Sequence, residues 1–266
     1  MAVVVTDLYV YPVKSCGGIR QSSAVVEPRG FAYDRRWLIV DHDGGFLTQR
    51  VLPRMALIAI ALTADALTLT APGVETLRVP YDQPGERTAV TIWRNSGVGA
   101  IDQGDVISVW LSDFLKKPVR LVRFADDAVR QVDQRYAPRP TDQVGFADAY
   151  PFMILSEESV GDLNARLDVA LPMNRFRPNI VVRGAGAYAE DTWRRIAIGD
   201  VIFEVVKPCA RCAITSTDQE TARRGKEPLR TLAMYRDSER GVLFGQNMTH
   251  QGAGVVRVGD AVRVLD

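Results

Sequence analysis

The chain has 266 residues, 47% of them hydrophobic and 24% charged, an ordinary globular composition long enough for one large domain or two modest ones. Lys plus Arg total 33 and Asp plus Glu 32, a net charge of +1 that excludes a general nucleic-acid binder with a basic face and leaves room for a local basic pocket. Three cysteines cannot build a disulfide framework, no apolar run reaches membrane-spanning length, and no basic segment precedes the first apolar stretch, so a cytoplasmic protein with no membrane partner is expected.

The first third reads as β-structure. Val3, Val5, Leu8 and Val10 lean toward alternation until Pro12 interrupts. Residues 36–41 form a further strand, His42-Asp43-Gly44-Gly45 turns the chain and 46–50 return, the pattern of a hairpin. Residues 55–62, 66–70 and 88–93 continue as short strands, with Thr63, Asp65 and Pro72 as punctuation. The spacing predicts a helix over 105–117, with Val106, Val109, Trp110 and Phe114 on one face, Asp105 at its start and two lysines before Pro118.

Residues 118–124 return to strand. The polar stretch 125–146, with Pro138 and Pro140, has neither period and reads as a loop long enough to rim a site. Residues 152–155 are an apolar strand. Ser156 then caps a helix to 167, with Glu157 and Glu158 in its first turn. In the last third, 195–206 and 255–264 are each strand, Gly-Asp, strand, and glycine's access to positive φ suits a tight reversal in both. Residues 213–217 look like strand, and Glu227-Pro228-Leu229 opens a short helix. Many short strands with few helices imply a mainly β, barrel-like α+β protein, with two β-rich regions, 1–120 and 121–266, meeting near Arg120.

Chemistry centres on Cys209-Ala-Arg-Cys212. A structural zinc site needs four ligands, and only the scattered Cys16, His42 and His250 remain to complete one. A thioredoxin-like couple needs a helix start after the strand, where strand-like residues follow here. Two buried cysteines acting as small hydrophobes are the third reading. Cations are distributed along the chain. Lys14-Ser15-Cys16-Gly17-Gly18 ends the first strand, Asp34-Arg35-Arg36-Trp37 and Arg50 lie in strand contexts, and Arg175-Phe-Arg177-Pro-Asn179 precedes another strand. Arginine forks bind phosphate at two points, and glycines let backbone N–H groups approach an anion. Nothing in the spacing shows that these groups converge.

Seven segments occur in order: Tyr11-Pro-Val-Lys-Ser-Cys16, Asp34-Arg-Arg-Trp37, Pro151-Phe-Met-Ile-Leu-Ser-Glu157, Arg175-Phe-Arg-Pro-Asn179, Tyr188-Ala-Glu-Asp-Thr-Trp193, Cys209-Ala-Arg-Cys212 and Leu243-Phe-Gly-Gln246. Together they resemble the MOSC proteins, named for the C-terminal domain of molybdenum cofactor sulfurase, and within them the mitochondrial amidoxime-reducing components and their bacterial relatives. The resemblance spans nearly the whole chain and implies an N-terminal MOSC β-barrel region (1–120) followed by a MOSC domain (121–266). It implies a molybdenum–molybdopterin cofactor (Moco) whose metal is ligated by Cys212, with Lys14, Ser15, Arg35, Arg50, Arg177 and Asn179 contacting the pterin and its phosphate.

Asp148, just before the Pro-Phe strand, is the expected proton relay, and Arg211 is expected to favour the Cys212 thiolate. The implied activity is reduction of small N-hydroxylated compounds (amidoximes, hydroxylamines, N-hydroxylated bases). Electrons must come from an external protein, whether a reductase, a ferredoxin or a cytochrome b5-like partner, because no iron–sulfur cysteine set, haem-attachment sequence or dinucleotide-binding glycine motif is present. The alternative function is a carrier that holds a cysteine persulfide or the cofactor.

Overall fold

A computed structural model describes residues 2–266. Val5, Leu8 and Val10 of the strand Val4–Val10 enter one core: Leu8 and Val10 follow the period of two, and an irregularity between Val5 and Asp7 brings Val5 to the same side. This strand does not pair within the N-terminal region alone. It lies antiparallel to Ile180–Arg183 and to Ile19–Gln21. The resulting eight-stranded sheet runs Val262–Val264, Arg195–Ile198, Val201–Ala210, Leu243–Gln251, Phe152–Ser156, Ile180–Arg183, Val4–Val10, Ile19–Gln21. Its one parallel pair, Phe152–Ser156 with Ile180–Arg183, is connected through the helix Glu157–Asn164. A three-stranded sheet likewise joins the two ends of the sequence, pairing Gly254–Arg257 with Ser23–Glu27. The halves 1–120 and 121–266 are therefore interwoven through strands of both.

The rest of the N-terminal half forms a four-stranded sheet of Trp37–Val40, Arg120–Phe124, Asn95–Asp102 and Arg87–Ile92, and a three-stranded meander over residues 59–80. With three α-helices among the described residues, the architecture is mainly β. One core of Leu8, Phe31, Phe152, Ile180 and Phe203 lies beneath the large sheet, and a second of Trp37, Met55, Leu69, Leu111 and Phe114 fills the N-terminal half.

Several local expectations are corrected. The helix after Gly104 spans Asp105–Leu115 and stops where Lys116 turns left-handed. It buries Ile107, Leu111, Phe114 and Leu115, and leaves Val106 and Val109 in solvent at 76% and 60% exposure. The buried face is set by where the strand Arg120–Phe124 lies. The expected hairpin at 42–45 is a tight turn held by the Asp41 side chain, with a single antiparallel bridge from Val40 to Phe46, and the extended partner of Trp37–Val40 is Arg120–Phe124. Gly199 does turn a hairpin, but the strands flanking Gly259-Asp260 belong to different sheets. Residues 53–57 and 213–216 are short 3-10 helices instead of strand, and the helix from Ser156 ends at Asn164.

Candidate functional site

A cavity of about 290 Å³ opens where the two halves meet, and all eight residues singled out above line it: Lys14, Ser15, Arg35, Arg50, Asp148, Arg177, Asn179 and Cys212. Lys14 and Ser15 arrive on the turn after the strand Val4–Val10, and Arg35 on the turn before Trp37–Val40. Asp148 ends the long loop, Arg177 and Asn179 precede Ile180–Arg183, and Cys212 follows Val201–Ala210. Ser15, Arg35 and Arg177 all hold positive φ (66°, 48° and 55°), a conformation unfavourable for side chains with a Cβ. Such strain tends to gather where a site dictates the backbone path.

Cations dominate the lining. Lys14, Arg35, Arg50, Arg175, Arg177, Lys207 and Arg211 face one carboxylate, Asp148. Arg35 and Arg177 hold their guanidinium groups 4.3 and 4.2 Å from the ring centroid of buried Tyr11, so one aromatic ring serves two cations. Arg35 also donates to Asp34 at 2.6 Å and to Asn179 Oδ1 at 3.1 Å, and Arg177 donates to the Cys16 carbonyl at 2.8 Å. Asn179 Oδ1 further accepts from Met153 N–H, and its Nδ2 donates to the Tyr9 carbonyl, so this amide positions Arg35. Arg50 lies over Trp93 and donates through Nη2 to Asp148, while its buried Nη1 has no partner among the described residues.

Asp148 is the hub. Its carboxylate pairs with Lys14 and Arg50 and accepts from Trp93 Nε1 at 3.1 Å. Burial would raise its pKa, but Lys14 and then Arg50 hold the carboxyl well below the usual carboxylate range. It is ionised at neutral pH and serves Lys14 and Arg50 as their shared counter-ion.

Cys212 is half-buried and free, with extended backbone at the start of the 3-10 helix; its carbonyl accepts from Thr215 N and Oγ1. Cys209 lines the same cavity, and burial raises its thiol pKa in spite of nearby Arg211. Arg211 itself donates to the carbonyls of Phe244 and Phe176, which fixes the strand end but leaves no hydrogen bond to Cys212. Cys16 is fully buried, its thiol pushed up to about 12 by burial. Among the described residues no group of three or more His, Cys, Asp or Glu could hold a metal by itself.

Sequence reasoning missed Tyr11, Trp93 and Arg130. Tyr11 stands in a quoted segment, but its role needs both arginines in place. Arg130 is 5% exposed and donates to the carbonyls of Gly145, Ala147 and Asp148 and to Asn95 Oδ1, clamping the long loop against the cavity. An arginine inside an aperiodic polar stretch carries no sequence signal of this kind.

Residues 2–118 match the MOSC N-terminal beta barrel domain and residues 141–263 the MOSC domain. The chain is 39% identical over 279 residues to human mitochondrial amidoxime-reducing component 1, covering 98% of this chain and 82% of that protein. The chain belongs to the MOSC family. It is also 36% identical to human mitochondrial amidoxime reducing component 2, over 97% of this chain and 82% of that one. Molybdenum cofactor sulfurase of Danio rerio is 32% identical over 93% of this chain, which spans only 32% of the sulfurase.

In this MOSC protein Lys14 is expected to make any anion binding in the cavity pH-dependent. Burial pushes its ammonium down to about 8, opposed by Asp148 and assisted by Arg130 and Arg35. The proton that attracts an anion is therefore lost as pH rises through about 8. Sulfate, which does not titrate in this range, is expected to bind the cofactor-free protein best below that pH. Its affinity should fall by up to about tenfold per pH unit above it, since each unit of pKa coupling is a factor of ten. Calorimetric titrations across this range should show the slope, and Lys14→Met should flatten it. A slope that survives in Lys14→Met would assign the titration to another group.

Proposed function

We propose that this protein binds a molybdenum–pterin cofactor in the cavity, with Cys212 as the protein's metal ligand, and reduces small N-hydroxylated compounds with electrons from an external electron-transfer protein. The observation that carries this reading is the joining, in one cavity, of a free thiol with a cluster of cations that outnumber their carboxylate. The residues fit the group. Arg50 Nη1 is buried and lacks a partner among the described residues, which leaves a donor free for a phosphate oxygen. A metal that arrives with two pterin sulfurs needs only one soft ligand from the chain, which matches a site without a cluster of protein ligands. The amidoxime-reducing relatives lend the substrate class.

On this reading Lys14, Ser15, Arg35, Arg50 and Arg177 hold the phosphate end, Asn179 and Tyr11 keep the arginines in position, and Asp148 balances Lys14 and Arg50. When bound, the cofactor supplies a centre that changes oxidation state by two electrons. The net reaction is R–NHOH + 2 e⁻ + 2 H⁺ → R–NH₂ + H₂O: the N–O bond breaks and its oxygen leaves as water. The protein binds and orients. Ionised Asp148 keeps the cations seated.

The test is elemental analysis with fluorescence of the oxidised pterin, on protein made in a molybdenum-replete host, followed by anaerobic assay. About one molybdenum per chain is expected, as one thiolate completes one metal's sulfur shell. Turnover is expected with a reduced dye and not with NADH alone. Turnover with NADH alone would reveal a dinucleotide site. Loaded protein that reduces nothing with any donor would favour a carrier of the cofactor or of persulfide sulfur.

A further inference from the structure

Two segments at the rim of the cavity carry cations outward. The first is the loop over residues 218–227, which precedes the helix Leu229–Arg236. It is anchored to the rim at both ends. Arg175, a cavity residue, donates to the carbonyls of Thr215 and Glu227. Arg224 donates to the carbonyls of Gln49 and Arg50, and the side-chain amides of Gln49 and Gln219 pair with each other. The Asp218 carboxylate ties the turn by accepting from the N–H groups of Glu220 and Thr221. Arg223, Arg224 and Lys226 stand exposed on this loop, with no ion pair among the described residues. The carboxylates of the loop are engaged elsewhere: Asp218 pairs with Arg175 and Glu227 with Arg230, while Glu220 lines a separate cavity beside Tyr9 and Ala59.

The second segment is the turn Trp93-Arg94 between the strands Arg87–Ile92 and Asn95–Asp102. Its indole stacks on Arg50 and donates to Asp148, two residues of the cavity, so the turn sits against the same rim. Arg94 is exposed and makes no ion pair among the described residues. Apolar surface lies among these cations: Trp93 is 48% exposed, and Val51, next to Arg50, is 65% exposed. Several exposed arginines away from the rim are matched, Arg78 by Asp65, Arg87 by Asp127 and Arg166 by Asp162. In a chain of net charge +1, the unmatched cations at the rim form a local basic patch.

We propose that this arc, from Arg94 and Trp93 past Val51 to Arg223, Arg224 and Lys226, is the docking surface for the external electron donor. The donor it fits is a small redox protein whose exposed redox centre is ringed by acidic residues. This rests on the reductase reading above. Exposed apolar side chains set among unpaired cations have the make-up of an interface with a charged rim. Electron-transfer complexes bury little surface, so their encounter rate and orientation depend on opposite charges. A donor seated on the arc stands at the rim of the cavity that Cys212 lines. It supplies the two electrons of the net reaction given above, in two successive encounters if it carries one at a time. The donor is oxidised, the N–O bond is reduced and the two protons come from water.

The experiment uses reduced cytochrome b5, an acidic one-electron carrier, as the probe, with molybdenum-loaded protein and benzamidoxime. Oxidation of the cytochrome should slow as salt rises, because exposed charges are screened. The triple variant Arg94→Glu/Arg223→Glu/Lys226→Glu should lower kcat/KM for the cytochrome by about tenfold to a hundredfold at low salt and flatten the salt dependence. Turnover with a reduced dye and the KM for benzamidoxime should change little. Calorimetry with oxidised cytochrome b5 should show the same loss of affinity, and the variant should melt with wild type, since these side chains have no ion pair to lose. Wild type that does not bind the cytochrome, or equal rates and affinities in wild type and variant, would overturn the proposal. So would a greater loss of binding to phosphatidylserine vesicles than to the cytochrome, which would make the arc a membrane-facing patch. If loaded wild type reduces nothing even with the dye, the reductase reading fails instead, and the calorimetric comparison alone decides the docking surface.

Discussion

Cys212→Ala is expected to abolish molybdenum retention and reductase activity, while Cys209→Ala keeps most of both. The two thiols stand three positions apart and line one cavity, so the distinction rests on their surroundings. Burial raises the Cys209 pKa, which favours the protonated thiol, a poor metal ligand. Cys209 also belongs to a wall with Phe176, Leu232 and Phe244, where it packs as an apolar group. Cys212 lies beyond the strand end, on extended backbone, with its carbonyl fixed by Thr215. Removal of a ligating thiolate should exceed the roughly 10–100-fold loss that changes around a metal's ligands produce. Metal content per chain, read beside pterin fluorescence, separates the variants. Equal loss from both would show that the cysteines act as a pair.

Arg130→Met should cost the fold more than any change at the cavity surface. The guanidinium is buried and its hydrogen bonds end on three main-chain carbonyls and the Asn95 side chain. Methionine fills similar space and donates nothing, leaving buried carbonyls unpaired at about 1–3 kcal/mol each, for a total on the order of 3–5 kcal/mol after relaxation. The same loop supplies the Phe146 carbonyl that accepts from Lys14 at 2.8 Å, and it ends on Asp148. Loosening it should therefore weaken sulfate binding as well as lower the urea midpoint. Arg130→Lys, which keeps a charge and some donors, should recover part of the stability. A midpoint within experimental scatter of wild type would mean that the loop does not depend on this clamp.

Local sequence determined the local features. Alternation in Leu8 and Val10, the Gly199-Asp200 reversal and the Ser156 cap, whose side chain accepts from Ser159 N–H, all depend on near neighbours. The ordered segments from Tyr11 to Gln246 were enough to point to the family, while Arg50 and Asp148 lie outside them and the parts played by Tyr11, Trp93 and Arg130 were not legible. Partner choice was not legible. The helix Asp105–Leu115 has two plausible apolar faces, and the strand Arg120–Phe124 decides which one is buried. Nor does any short-range pattern announce that Lys14 will meet Asp148, 134 positions away, or that Arg177 will reach the Cys16 carbonyl, 161 away. Those contacts follow from the pairing of Val4–Val10 with Ile180–Arg183, which brings the first turn of the chain to the segment before the later strand. Burial supplies the rest. The same lysine, tyrosine or cysteine is ordinary in solvent, and burial lowers Lys14, raises Cys209 and leaves the Tyr150 hydroxyl without a partner among the described residues.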